Sequence, residues 1–290
     1  MTELNQSQIN LSELELSKQI EDLLVALNPR GMKDIQPALK PGYYLRAAQI
    51  LKGLTGTVLI GTGFPVTDTF ETDGPVGAIA LYNALEELGA HPILVGGESF
   101  VSLTENEYRV HKLIEGDFTH SKQEAIDTLA KLQPQAIISI ERPGLSEQGG
   151  YFNMRGEDIS AYCACFDHYL NEAACPTIAI GDGGNEIGMG NIKQAISGLD
   201  ITPSITTCDE LLIADVSNWG AYGILAILGM WVKNDLLAKV DPIAVLEYIS
   251  ERGSVDGVTR ENNLTEDSFP PAYGHEIISN LRKLTKFIKD

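Results

Sequence analysis

The chain has 290 residues, 43% of them hydrophobic, enough to bury a sizeable core in one large domain or two small ones and to set disorder aside. Its 21 basic and 40 acidic residues leave a formal charge of -19, which repels phosphate backbones and anionic bilayers, so neither nucleic acid nor a membrane is an expected partner. Cys163, Cys165, Cys175 and Cys208 lack the paired spacing of a zinc site or a disulfide framework and read as reduced core residues.

The acidic N-terminus carries neither the basic and apolar leader of a secreted protein nor an Arg-rich transit pattern, which predicts the cytoplasm. Leu11, Leu14, Leu16, Ile20, Leu23, Leu24 and Leu27 recur at helical spacing and predict a helix over about 9–27, stopped by Asn28-Pro29-Arg30-Gly31. A second helix over about 43–54 completes a helical N-terminal extension, residues 1–54, and leads into the apolar strand 57–61. A helix over about 75–88, with Asp73 as a cap and Pro75 in its first turn, precedes the strand 92–96. Ser121 and Glu124 form a capping-box pattern for a helix to Leu132, followed by the strand 136–140. Helices over about 157–172 and 186–197 alternate with strands at 177–181 and 211–216. The apolar stretch Trp219 to Val232 is shorter than the roughly 20 residues a membrane span needs and reads as a buried helix. A long polar loop over 253–274 comes before a basic helix over 275–289.

Five apolar strands separated by helices predict an α/β fold, with a mainly parallel sheet of five or more strands sandwiched by helices. The expected arrangement is a single large domain over 1–290 with helical additions at both ends, and a homo-oligomer is compatible with its apolar Trp219 helix.

In such sheets the segments leaving the strand carboxyl ends meet on one edge, where ligands bind. Here those segments are polar and glycine-rich. The first carries Asp68, Glu71 and Asp73. Three carboxylates close together repel unless a cation, a proton or an Arg compensates, so they are candidates for metal binding or acid/base work; Asp73 alone also suits a helix cap. Arg142 or Arg155 could hold a substrate carboxylate in two-point geometry, or Arg142 could pair with one of these acids. The run Gly181-Asp182-Gly183-Gly184-Asn185-Glu186 opens a glycine turn whose N–H groups can face an anion, with two acids four positions apart. It lacks the Gly-Lys-Ser/Thr ending of a P-loop and the glycine spacing of a dinucleotide site. None of the five histidines lies in these loops, so carboxylates must carry proton transfer.

Six ordered motifs give the chain a family resemblance. They are Gly63-Phe64-Pro65-Val66 with Glu71-Thr72-Asp73-Gly74-Pro75 and Gly77-Ala78, then Glu141-Arg142-Pro143-Gly144, Asn153-Met154-Arg155-Gly156, the run Gly181 to Gly190, Val216-Ser217-Asn218-Trp219-Gly220, and Val255-Asp256-Gly257-Val258-Thr259. Together they resemble the C-terminal domain of D-glutamate cyclases from about residue 12 to the end. The resemblance implies conversion of D-glutamate, a small anionic amino acid, to 5-oxo-D-proline and water, in a family whose longer eukaryotic members add an N-terminal domain and work in mitochondria. Where the family pattern has a second Asp-Gly pair, this chain has Glu266-Asp267-Ser268.

On that resemblance Asp73, Asp182 and Glu186 are expected to hold a divalent metal of the Mg²⁺ or Mn²⁺ type, since all-oxygen ligands select hard cations. Glu71 or Glu141 is the expected base, with Asp68 in the catalytic set. Arg142 or Arg155 would take the α-carboxylate, and Asn153 and Asn218 would fix stereochemistry. The N–H groups of Gly183 and Gly184 would serve as oxyanion donors, and Asn185 and Asp256 complete the substrate-binding set. The competing expectations are a metal-dependent hydrolase or phosphatase of a small anion and a non-catalytic binding module for an acidic metabolite.

Overall fold

Continuous runs of aliphatic residues without polar alternation suit strands covered on both faces, and the computed structural model, which describes residues 11–116 and 118–289, gathers them into one sheet. The strands are β1 (Thr57–Gly61), β2 (Pro65–Val66), β3 (Thr69–Phe70), β4 (His91–Gly96), β5 (Val110–Lys112), β6 (Ala136–Ile140), β7 (Thr177–Gly181) and β8 (Glu210–Ile213). The helices are α1 (Leu11–Leu24), α2 (Met32–Ile35), α3 (Tyr43–Leu51), α4 (Pro75–Glu87), α5 (Glu98–Thr104), α6 (Ser121–Leu132), α7 (Asp167–Asn171), α8 (Lys193–Ile196), α9 (Ser217–Val232), α10 (Pro242–Ser250) and α11 (Pro271–Leu284).

Six strands pair in parallel in the order β5-β4-β1-β6-β7-β8, while β2 and β3 make a small antiparallel hairpin. Val58, Leu59 and Ile60 are fully buried between His91–Val95 on one side and Ala136–Ser139 on the other. The chain runs from β1 outward to β4 and β5, then returns across β1 to build β6, β7 and β8 in the other direction. Loops leaving β1 and β6 therefore diverge, and the crevice between them is where such a sheet accepts a ligand.

Helix α9 is apolar all round and packs against α4, α3, α1 and α11, which explains its lack of a polar face. Its first turn meets that of α4 at close range, because Gly77 has no side chain: a β-carbon there would lie 2.9 Å from Asn218 Cα. The contact lets each helix cap the other. Asp73, just before α4, accepts hydrogen bonds from the backbone N–H groups of Ser217 and Asn218 (2.8 Å each). Asn218 Oδ1 accepts from Gly74 N (2.8 Å) and Gly77 N (2.7 Å). Asp73 is thus a cap, but chiefly for α9 rather than for the helix it precedes.

The expected α/β sheet with helical additions at both ends is present, with differences at particular elements. The predicted α1 start at 9 lies outside the described residues. Strand β5 and helices α2, α5 and α10 were not foreseen; each is too short, or too mixed in polarity, for a periodic signal. The expected helix over 157–172 is mostly irregular, with one 3-10 turn at Ser160–Tyr162 before α7, because Ala164 bridges to Glu115 instead of continuing a helix. The helix expected over 186–197 shrinks to a 3-10 turn and α8, since Gly188 adopts φ 96°. Ser121 does not close a capping box; its hydroxyl donates to the Phe118 carbonyl at 3.1 Å.

Candidate active site

A cavity of about 570 Å³ opens at the carboxyl edge of the sheet, over the ends of β1, β6 and β7. Its floor is acidic. The β1 loop supplies Glu71, the end of β6 supplies Glu141, and the β7 loop supplies Asp182 and Glu186. Asp267, from the long loop before α11, lines it as well. These five residues have exposures between 1% and 9%, so solvent screens little of the interaction among them.

One largely covered cation answers them. Arg30 bridges Asp182 and Asp267 with the same Nη2, which also reaches the Asp215 carbonyl at 3.2 Å. The segment carrying Arg30 is delivered by Asp215 at the end of β8, whose carboxylate accepts hydrogen bonds from Leu27 N (2.7 Å) and Asn28 N (3.0 Å). Burial works against the charge on Arg30, and Asp182 and Asp267 more than restore it.

One guanidinium cannot balance the whole floor. Burial, with the neighbouring Glu186, Asp73 and Glu71, pushes the Glu141 carboxyl well above its ordinary range. Glu71 is pushed the same way by burial and by Asp267 and Asp73. For Asp182, burial pushes up, Arg30 pulls down and Glu141 pushes again, with a net upward direction. Asp73, beneath the cavity, is driven up to about 7 by burial and Asp267, against the pull of its backbone donors. Carboxyl groups raised in this way are better suited than ordinary ones both to donate and to accept protons. Glu141 adopts φ 45°, outside the ordinary strand region, and its Oε2 accepts a hydrogen bond of 2.5 Å from Ser217 Oγ.

Several expected site residues serve other ends. Asp68 is exposed, away from Glu71 and Asp73, and the cavity lining does not include it. Arg142 neither lines the cavity nor pairs with an acid; it donates to the carbonyls of Thr62 and Gly63 (3.1 Å each) and of Ala164, tying the β1 loop to the segment before α7. The N–H groups of Gly183 and Gly184 are taken by Glu186, which accepts them at 2.8 and 2.7 Å, so they do not face a ligand. Asn218 is the helix cap already described and has no exposed surface. Asp256 is buried too, accepting from Val258 N (3.0 Å), Thr259 N (2.8 Å), Ser268 N (2.7 Å) and Thr265 Oγ1 (2.7 Å), and so shapes the last loop. Asn153, Arg155 and Asn185 do line the cavity, Asn185 holding the Phe152 carbonyl at 2.9 Å.

The sequence from residue 20 to 282 matches the family described as D-glutamate cyclase-like, C-terminal. The chain belongs to that family. Among curated proteins, it is similar to human "D-glutamate cyclase, mitochondrial", at 28% identity over 255 residues, covering 76% of this chain and 40% of the human protein. Among solved structures it is similar to an exopolyphosphatase-related protein from Bacteroides fragilis (TM-score 0.43, 10% identity, 87% of this chain and 62% of that one). A 3-oxoacyl (acyl-carrier-protein) reductase from Agrobacterium tumefaciens aligns over 48% of this chain and 57% of its own, with TM-score 0.26 and 13% identity. At those scores neither structure bears on the chemistry. Among the described residues no helix is long and apolar enough to cross a membrane.

In this cyclase-like chain, sequence reasoning passed over two residues of the floor. Arg30 read as part of a helix stop and Asp267 as a departure from the family pattern, yet the two pair across the site. The only local hint was an Arg placed directly after a Pro at the helix stop.

Two sets of carboxylate oxygens lie within 4.8 Å of one another, Asp73 with Asp182 and Asp267, and Glu141 with Asp182 and Glu186. The expected metal triad of Asp73, Asp182 and Glu186 is split between them. In the first set Asp73 is engaged by three backbone N–H groups and Arg30 already bridges the other two. All three members of the second set line the cavity, and although Arg30 also meets Asp182 and the Gly183 and Gly184 N–H groups meet Glu186, an all-carboxylate donor set fits a hard divalent cation.

Proposed function

We propose that this chain closes D-glutamate to 5-oxo-D-proline with release of water. The substrate nitrogen enters as an ammonium and ends as an amide N–H, so it gives up two protons. The γ-carboxylate oxygen that departs as water gains two. No net exchange with solvent is needed, only transfer from nitrogen to oxygen inside the site.

The observation that carries this reading is the floor of buried carboxyl groups gathered in one cavity, where burial raises Glu71 and Glu141 above the ordinary carboxylate range. A neutral carboxyl beside the γ-carboxylate supplies its proton and makes the carbon electrophilic. An ionised one takes the proton that frees the amine to attack. We assign these roles to Glu141 and Glu71, both of which line the cavity, as a pair whose members exchange acid and base duties. The ammonium suits a floor rich in carboxylates, whereas a multiply charged phosphate would meet the same groups with Arg30 already engaged. A divalent ion of the Mg²⁺ or Mn²⁺ type would be held by Glu141, Asp182 and Glu186, where it would polarise the γ-carboxyl as a Lewis acid in place of a proton from Glu141 and leave Glu71 as the base.

The test is incubation of the purified chain with D- and L-glutamate, with Mn²⁺ and with a chelator, followed by mass spectrometry for 5-oxoproline. D-selective product is expected. No product from D-glutamate under either condition overturns the reading.

A further inference from the structure

The acidic floor leaves a question that the proposed reaction makes sharper: where the substrate's unreactive α-carboxylate is held. Among the described residues lining the cavity the guanidinium groups are those of Arg30, Arg155 and Arg260. Arg30 is unavailable, because it is locked between two buried carboxylates of the floor. Arg155 and Arg260 stand on two exposed loops that face each other across the mouth. The loops are tied reciprocally. Arg155 Nη2 donates to the Val258 carbonyl at 2.6 Å, and Arg260 pairs with Glu157.

The two ties differ in kind. Arg155 meets a neutral carbonyl, with Glu157 near enough to feel its charge but not in an ion pair with it, whereas Arg260 meets the Glu157 carboxylate directly. Glu157 is also positioned by Asn153, whose Nδ2 donates to Glu157 Oε2 at 2.6 Å and whose Oδ1 accepts from Arg155 N and Glu157 N. Arg260 is placed by the turn that Asp256 organises, its own N–H donating to the Asp256 carbonyl at 2.8 Å. The Arg260 and Glu157 side chains are 38% and 51% exposed, so their ion pair is screened, weakly held and open to exchange.

Resting on the cyclase reading, we propose that Glu157 occupies Arg260 as an internal stand-in for the substrate's α-carboxylate, which displaces it on binding. The mouth then fixes the α-carboxylate between Arg155 and Arg260 and points the ammonium and γ-carboxyl at the floor. The mouth selects a small α-amino acid with an extended acidic side chain. Glu157 competes with every such ligand and so sets the concentration at which the site fills.

Titration calorimetry with D-glutamate on the intact chain tests this, using Glu157→Gln, Arg260→Gln and the double variant, alongside turnover. Both side chains are exposed, and Gln keeps an acceptor for Asn153. Glu157→Gln is expected to tighten binding about two- to fivefold, the range of an exposed pair. Arg260→Gln should weaken it about tenfold through loss of a charged hydrogen bond. In the Arg260→Gln background the Glu157 substitution should have no effect. D-Isoglutamine, whose α-carboxylate is an amide, should bind wild type and Arg260→Gln equally. Unchanged affinity in Arg260→Gln, or weaker binding in Glu157→Gln, overturns the proposal. If D-glutamate binds without being converted, the reaction assignment fails while the affinity series still decides the mouth. If D-glutamate does not bind at all, both fall.

Discussion

Replacing Glu266 by Gln should flatten the dependence of stability on pH. The Glu266 carboxyl is fully buried, accepts from Asn218 Nδ2 at 2.8 Å and from Trp219 Nε1 at 3.5 Å, and is driven up to about 8 by burial and by Asp73, from an ordinary 4.5. Because its folded-state value lies above its unfolded value, the native state binds more protons than the unfolded chain between those limits. The stability it contributes is therefore complete below about pH 4.5 and is lost as pH rises through about 8. Each pH unit in the middle of that interval costs about 1.4 kcal/mol, and because the dependence levels off near its two ends, moving from pH 5 to pH 8 removes about 3.5 kcal/mol. That is a large part of a typical stability of about 5–15 kcal/mol. Asp73, Glu71 and Glu141 act in the same direction, so the wild-type slope exceeds that of one group, and the difference between wild type and Glu266→Gln isolates this carboxyl. Gln mimics the protonated form: its Oε1 keeps the hydrogen bond from Asn218 Nδ2, while its amide nitrogen gives up only the long 3.5 Å acceptance from the indole N–H. Urea midpoints at pH 5, 6.5 and 8 for both proteins are the measurement. Parallel pH slopes would refute the reasoning.

Arg30→Gln leaves Asp182 and Asp267 buried without their cation and should cost about 3–5 kcal/mol in urea unfolding at pH 7; an unchanged midpoint would show that both acids are neutral there. Asn218→Ala removes the cap from two N–H groups at the start of α4 and a partner from Glu266, and should cost about 1–2 kcal/mol with D-glutamate affinity intact, since Asn218 does not line the cavity. Glu141→Gln should lower turnover at least about 100-fold without loss of stability, as it neutralises one of several crowded carboxyls; equal loss of both would make Glu141 structural.

The frame of the fold was legible because its strands advertise themselves. The bounds of β1, β6 and β7 coincide with apolar runs ended by a glycine or an acid, and their following loops do meet on one edge. The site was only partly legible, for reasons of range. Arg30 finds Asp182 at a separation of 152 positions and Asp267 at 237, and no local pattern encodes such a pair. The Gly183-Gly184 turn read as open to an anion, but a carboxylate two or three positions further on reaches the same N–H groups first. Arg142 follows an acid at a strand end, where a ligand-binding fork was a fair expectation. Its position under the β1 loop, fixed by the pairing of β1 with β6, sets three carbonyls around it instead.

A floor with five carboxyl groups and one guanidinium would be a poor use of burial if only stability mattered. The fold tolerates it by giving several of the acids fixed donors from different elements: α9 for Asp73, its own turn for Glu186, Ser217 for Glu141, and the segment after α1 for Asp182 and Asp267. Those donors hold the oxygens in place without neutralising all of them, so the remaining electrostatic cost is met by protons kept at neutral pH. The lactam closure requires a site that can pass two protons from one atom to another and return to its starting state. On the proposed reaction, the same crowding that predicts sensitivity to alkali would supply the proton store for closure, and easing one by substitution should weaken the other.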